Sequence, residues 1–191
     1  QNFSLPKQRA LKACFQLDVD SVKFSHRLKN IDQAKHLTSR YERLMHRHGI
    51  DNWSPNTGFN YGLNGVKIKV RNQRLEIDWS EFDRNVSAAM DGSAFPDGRP
   101  AQCLFVPYWM PIRNHDGSIT TRATEQNYQG LDKNLFAQWM SALQAHFKEK
   151  GWLDRALVFY FDEPFLQAWK YQGFVNAAKV IREAAPELKI M

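Results

Sequence analysis

The residues best suited to chemistry are Asp162 and Glu163, adjacent to each other, followed by Pro164 and set directly after the apolar run FYF. Two acids at the end of a buried strand are costly unless water, a partner or a substrate reaches them. Along a regular strand neighbouring side chains point to opposite faces, but at a frayed C-terminal end both can turn toward one opening. Pro164 biases Glu163 to an extended backbone and removes a competing N–H, which holds that carboxylate in one orientation. The pair therefore reads as two site acids. The alternative is a strand-end pair that caps a nearby helix or bridges to Arg155 or Lys170.

The elements that must position that pair alternate between strand and helix. Residues 11–17 (LKACFQL) read as a first strand, and Leu37, Tyr41, Leu44, Met45 and His48 follow at helical spacing with Gly49 as the stop. A short extended stretch at 53–56 comes next, then a hairpin from 66–70 and 74–77, then a helix from Ser80 carrying Phe82, Val86 and Met90. Residues 103–109 (CLFVPYW) read as a buried strand with an irregular end at Pro107. Phe136, Trp139, Met140, Leu143 and Phe147 then form the stripe of the longest helix, closed by Gly151. Residues 156–161 (ALVFYF) read as a strand buried on both faces. A last helix with Phe174, Ala178, Ile181 and Ala185 stops at Pro186, before the start of a fifth strand.

This alternation predicts right-handed βαβ units and a parallel sheet, in either a doubly wound fold or a (β/α)8 barrel. No glycine-rich phosphate loop follows the first strand, as a nucleotide-binding sheet requires. Polar and aromatic residues instead sit just past several strand ends: Asp18 and Asp20, Asn56, Tyr108 and Trp109, then Asp162 and Glu163. A barrel gathers such residues at one mouth. The expectation is an α/β chain holding roughly the first half of a (β/α)8 TIM-type barrel, as one domain over 1–191 with a small hairpin insertion near 66–77. Cys14 and Cys103, placed on the first and third strands, are expected to be about 9–10 Å apart and so free thiols.

With 191 residues, 43% hydrophobic and 24% charged, the composition is that of an ordinary globular chain and excludes disordered or collagen-like classes. No apolar run approaches the ~18 residues of a membrane helix. Two cysteines exclude a disulfide framework and a cysteine-rich zinc module. Lys and Arg outnumber Asp and Glu by 26 to 20, a net +6 that leaves acidic partners open. The chain opens on Gln1 with no leader-like segment and closes in a strand start, so it reads as processed or excised.

Other polar clusters have plainer readings. Asp18-x-Asp20 lacks the remaining ligands of a calcium loop and reads as a loop salt bridge. His46-Arg47-His48 lacks a third ligand and reads as a solvated helix end. No metal and no cofactor are expected. Lys67, Lys69 and Arg71 line one face of the hairpin and read as a solvent-facing surface, with attraction of anionic glycans or nucleic acid as the alternative. Asn2-Phe3-Ser4, Asn52-Trp53-Ser54 and Asn85-Val86-Ser87 match the glycosylation sequon, which matters only in a glycosylating host.

Residues 155–191 (RALVFYFDEPFLQAWKYQGFVNAAKVIREAAPELKIM), with LPKQRALKACFQLD, RYERLMHRHGIDNWSP and IDWSEFDRNV before them in order, resemble glycoside hydrolase family 123 and relatives carrying domain of unknown function 4091. The resemblance implies a retaining β-N-acetylgalactosaminidase-like enzyme on a (β/α)8 barrel. Glu163 would then be the general acid/base, and Asp162 would orient the substrate's own 2-acetamido group as it attacks the anomeric carbon. Ordinary retaining enzymes set two carboxyls about 5–5.5 Å apart across the bond, an arrangement that acids adjacent in the chain do not easily make. Substrate-assisted catalysis needs both on a compatible side. Glu163 must arrive protonated, so burial and the neighbouring Asp162 charge are expected to raise its pKa.

Sugar rings need apolar platforms with polar rims. Tyr108 and Trp109 are the first candidates, then Trp53, Asn56 and Tyr61, each with core packing as the alternative. Asp18 either holds a sugar hydroxyl or pairs with Lys23 or Arg27. The expected partner is an N-acetylhexosamine-containing glycan, with no nucleic acid and no membrane, and the rest of the barrel in the same parent chain. The fragment alone is expected to be inactive, and the resemblance favours a secreted, periplasmic or cell-surface location. A non-catalytic carbohydrate-binding barrel is the rival reading, and a basic nucleic-acid binder a third.

Overall fold

The computed structural model describes residues 13–15, 17–52, 63–121, 127–159 and 167–191. The chain divides into two compact units, residues 1–59 with 84–104 and residues 60–83 with 105–191. Among the described residues the architecture is mixed α/β, with five α-helices and four small sheets.

The first unit opens with a strand–helix–strand repeat. β1 (Ala13–Phe15) pairs in parallel with β2 (Ile50–Asn52), setting Cys14 opposite Asp51 and Phe15 opposite Asn52. β2 thus begins directly after Gly49, while the expected stretch at 53–56 lies outside the described residues. Between the strands run α1 (Val19–Ser25) and α2 (Ile31–Arg47). The reading above lacks α1, since seven residues with Val19 and Val22 as the buried positions are too short to display a stripe.

α2 differs from its expected face. It buries Ala34, Thr38, Glu42 and His46, an i, i+4 row, while Leu44 is 49% exposed and Leu37 and Tyr41 are half-buried. The polar pair turns inward because each member meets a partner there: Asn52 Nδ2 donates to Glu42 Oε1 at 2.7 Å, and His46 Nδ1 meets Asp51 Oδ1 at 2.6 Å. Gly49 ends the helix at φ 84°, where a side chain would be strained. α3 (Ser80–Asp91) buries Phe82, Val86 and Met90 as its spacing predicts. After it, Gly92 at φ 89° packs so closely on the Gly98 carbonyl that a Cβ would sit 2.3 Å from that oxygen.

In the second unit β3 (Lys67–Arg71) and β4 (Arg74–Asp78) form the expected antiparallel hairpin. Asn72 and Gln73 join them at φ 49° and 63°, the signature of a type I′ turn. Gln73 holds a position that favours glycine, and two bonds compensate: Arg113 donates to its Oε1 at 3.1 Å and Gln138 to its carbonyl at 2.9 Å. α4 (Lys133–Glu149), capped by Asp132 through the Leu135 N–H, buries Leu135, Phe136, Trp139, Met140, Leu143 and Phe147. Each such side chain contributes about 1.5–3 kcal/mol by leaving water. Trp79 stacks on both Trp139 and His146 at 5.3 and 4.3 Å, and Asp83 holds His146 Nε2 at 2.8 Å.

β5 (Leu104–Phe105), β8 (Ala156–Val158) and β9 (Lys189–Ile190) make a three-stranded sheet in the order β5-β8-β9, with β8 and β9 parallel. The expected strand over 103–109 narrows to two residues. Pro107 lacks an N–H for a ladder, although Val106 still donates to the Leu157 carbonyl at 2.9 Å. A second hairpin, β6 (Ile112–Arg113) with β7 (Ile119–Thr120), and a 3-10 turn at Tyr128–Gly130 carry no clear signal in the sequence. α5 (Ala168–Ala184) buries Gly173, Ala177, Val180 and Ile181; of the expected stripe, Ile181 and Ala185 are buried, while Phe174 and Ala178 are half-buried.

Candidate functional site

β8 delivers the chain to the acid pair. Asp162 and Glu163 lie outside the described residues, as do Trp53, Asn56 and Tyr61. The described residues flanking the pair belong to the second unit. On the strand side, Phe159 stacks on Phe105 at 5.2 Å. On the helix side, Trp169 stands in the first turn of α5, with Tyr128 6.0 Å away and the Lys170 ammonium 5.9 Å over its ring. Neither Trp169 nor Tyr128 is among the candidates read from the sequence. Trp169 follows Glu163 by six residues at a helix start, a signal that was legible; Tyr128 meets it from 41 residues away in the chain, a pairing no local pattern announces.

Tyr108 and Trp109 part company. Tyr108 is half-buried, and burial pushes its phenol up to about 12, so it is a neutral hydroxyl at neutral pH. Trp109 is 6% exposed, with its ring edge-on to Trp139 at 6.0 Å, so it packs in the core of the unit. A shallow polar cleft of about 520 Å³ lies near Tyr128, lined by Arg113, His115, Gln129, Asp132 and Lys133 among others. Arg113 is held there by Asp132, the residue that also caps α4.

In the first unit, Asp18 is an N-cap: its Oδ1 accepts the Ser21 N–H at 2.7 Å, and the residue is 7% exposed. No ion pair to Lys23 or Arg27 forms among the described residues. The exit of β1 is tied to β2 by Asn52, whose side chain accepts from the Leu17 N–H at 3.3 Å and donates to the Leu17 carbonyl at 3.1 Å. His46 is not at a solvated helix end. It is 2% exposed, stacked on Phe95 at 3.7 Å, and bonded through Nδ1 to Asp51 and through Nε2 to Asp97 at 3.3 Å. Among the described residues no group of three His, Cys, Asp or Glu side chains is arranged to hold a metal ion. Nor is any helix among them long and apolar enough to cross a membrane.

Cys14 and Cys103 are free thiols, as expected. Cys103 precedes β5 rather than lying on it, and its side chain hydrogen-bonds the Cys14 thiol. That bond lowers the Cys14 pKa from 9.0 to about 7 against the opposing effects of burial and the Asp51 charge.

The described residues form an α/β chain with parallel strand pairs, and Asp162 and Glu163 follow β8 in the sequence. The family model described as Glycoside hydrolase 123, catalytic domain, matches residues 34–191, and the chain belongs to that family. Membership implies glycoside hydrolase activity on a carbohydrate substrate. No curated protein matches the chain.

Proposed function

We propose that this glycoside hydrolase cleaves terminal β-N-acetylhexosaminides, β-N-acetylgalactosaminides in particular, with retention and with the substrate's own 2-acetamido oxygen as nucleophile. The observation that carries the reading is the adjacency of Asp162 and Glu163 after the β8 strand, in a chain of the glycoside hydrolase 123 family. Glu163 gives its proton to the glycosidic oxygen as the acetamido oxygen closes on the anomeric carbon. Asp162 accepts the acetamido N–H and offsets the positive charge that grows on the ring so formed. Glu163, now ionised, takes a proton from the water that reopens the ring. The alternation of strands and helices along the chain supports a (β/α)8-type barrel as the scaffold.

Tyr108, a neutral phenol, supplies a hydrogen bond to a sugar hydroxyl, and Trp169 with Tyr128 supplies the apolar platform. Tyr61 is a further proposed contact, and Trp109 backs Tyr108 from the core of the same unit. The test is hydrolysis of aryl 2-acetamido-2-deoxy-β-hexosides by the wild type and by Glu163→Gln and Asp162→Asn variants. The expected result is wild-type hydrolysis only of substrates bearing the acetamido group, lost in both variants. Full activity on a substrate lacking that group would exclude the substrate-assisted route.

A further inference from the structure

The outward face of α2 carries a surface that the proposed catalysis does not use. Because the helix buries Ala34, Thr38, Glu42 and His46, its apolar residues Leu37, Tyr41 and Leu44 are left beside an open groove of about 440 Å³. Arg40, Arg43 and Arg47 line the same groove, and Pro96 closes one side. None of the three guanidiniums is ion-paired among the described residues. The nearby acids are engaged elsewhere: Glu42 accepts from Asn52, and Asp97 is held by Arg99 at 2.6 Å and by His46.

Like charges three and four residues apart destabilise a helix, so the row persists against its own repulsion. At 1.5 Å rise per residue it spans about 10 Å, which suits repeated anionic groups better than a single ion. Guanidiniums grip sulfate and carboxylate oxygens two at a time. Beside them Tyr41, whose hydroxyl meets His26 Nε2 at 2.8 Å, lines the groove together with the apolar Leu37, Leu44 and Pro96. Such a floor matches the C–H faces of sugar rings, which an extended acidic peptide does not offer. The groove volume falls in the range of ligand pockets, about 300–1,000 Å³.

We infer that this groove binds an anionic glycan, a chain whose rings carry sulfate or carboxylate groups, through Arg40, Arg43 and Arg47. It uses none of the residues proposed for hydrolysis, and it takes its ligand class from the family's carbohydrate substrates. The test is calorimetric titration of the chain with a sulfated, uronate-containing hexasaccharide. Its neutral counterpart (desulfated and carboxyl-reduced) and hexaglutamate serve as comparison ligands. We expect binding that weakens with added salt, fails with the neutral sugar, and falls at least about 10-fold in an Arg40→Ala, Arg43→Ala, Arg47→Ala variant whose melting temperature is unchanged. The Glu163→Gln variant should bind as the wild type does, so failure of the catalytic reading would be seen separately. No binding, equal binding by the triple variant, or tighter binding of hexaglutamate than of the hexasaccharide would each overturn the inference.

Discussion

His46 Nδ1 and Asp51 Oδ1 stand 2.6 Å apart with both side chains almost wholly buried, at 2% and 1% exposure. This bond closes the last turn of α2 onto β2 across the turn at Gly49. The other Asp51 oxygen accepts the Gln102 N–H at 2.8 Å, so one carboxylate also ties in the loop that follows α3. The first unit is therefore organised around a polar joint rather than an apolar one.

Replacing His46 with alanine leaves the Asp51 carboxylate buried with one partner fewer and removes the ring stacked on Phe95. We expect a loss of at least about 2 kcal/mol in unfolding free energy. Urea denaturation checks it, and a His46→Ala protein as stable as the wild type would mean that water replaces the bond.

Asp97 gives this unit an acid-sensitive link. The side-chain bond from Arg99 is the main cause that holds its carboxyl at about 2 instead of 3.8, with the His46 charge a smaller one. A depressed folded pKa contributes stability that is complete above the unfolded value and vanishes as the pH falls through the folded one. Stability should therefore drop between about pH 4 and pH 2, and Asp97→Asn should flatten that part of the profile in urea titrations.

Cys14 should be the faster of the two thiols. With its pKa near 7, about half is thiolate at neutral pH, and its alkylation rate should rise with a midpoint near that value. In a Cys103→Ala variant the hydrogen bond is gone and the midpoint should move up toward 9.0. Iodoacetamide kinetics with peptide mapping give both numbers.

Much of this molecule was legible in its sequence, for identifiable reasons. The α4 stripe from Phe136 to Phe147 and the hairpin around Asn72 and Gln73 rest on local periodicity and a two-residue turn, both of which sequence displays. α2 shows where that logic stops. Leu37, Tyr41 and Leu44 have the right spacing for a core face, yet Glu42 and His46 go inside because Asn52, Asp51 and Asp97 meet them there. Partners up to 51 residues away decided which face was buried. Cys14 lies on β1 as read, whereas Cys103 precedes β5, because a strand drawn from an apolar run overreaches at its end. At the candidate site, Tyr108 and the acid pair are expectations drawn from their position past strand ends, and Trp169, at the start of α5, is not among them.

Trp169 should act on binding more than on chemistry. Removing an aromatic platform costs about 0.5–1.5 kcal/mol beyond its area, so Trp169→Ala should raise KM by about 3- to 10-fold with a smaller change in kcat. Steady-state kinetics on an aryl N-acetylhexosaminide separates the two, and an unchanged KM would remove Trp169 from the site.

The central claim is that Glu163 moves the proton and the substrate supplies the nucleophile. The most direct measurement is hydrolysis of 4-nitrophenyl 2-acetamido-2-deoxy-β-galactoside by the full-length protein beside its Glu163→Gln variant. The gluco epimer and the galactoside lacking the acetamido group serve as controls. The account predicts release by the wild type that falls by about 10²–10⁴ in the variant and is negligible without the acetamido group. Undiminished release by Glu163→Gln, or equal release from the substrate lacking the acetamido group, would contradict it.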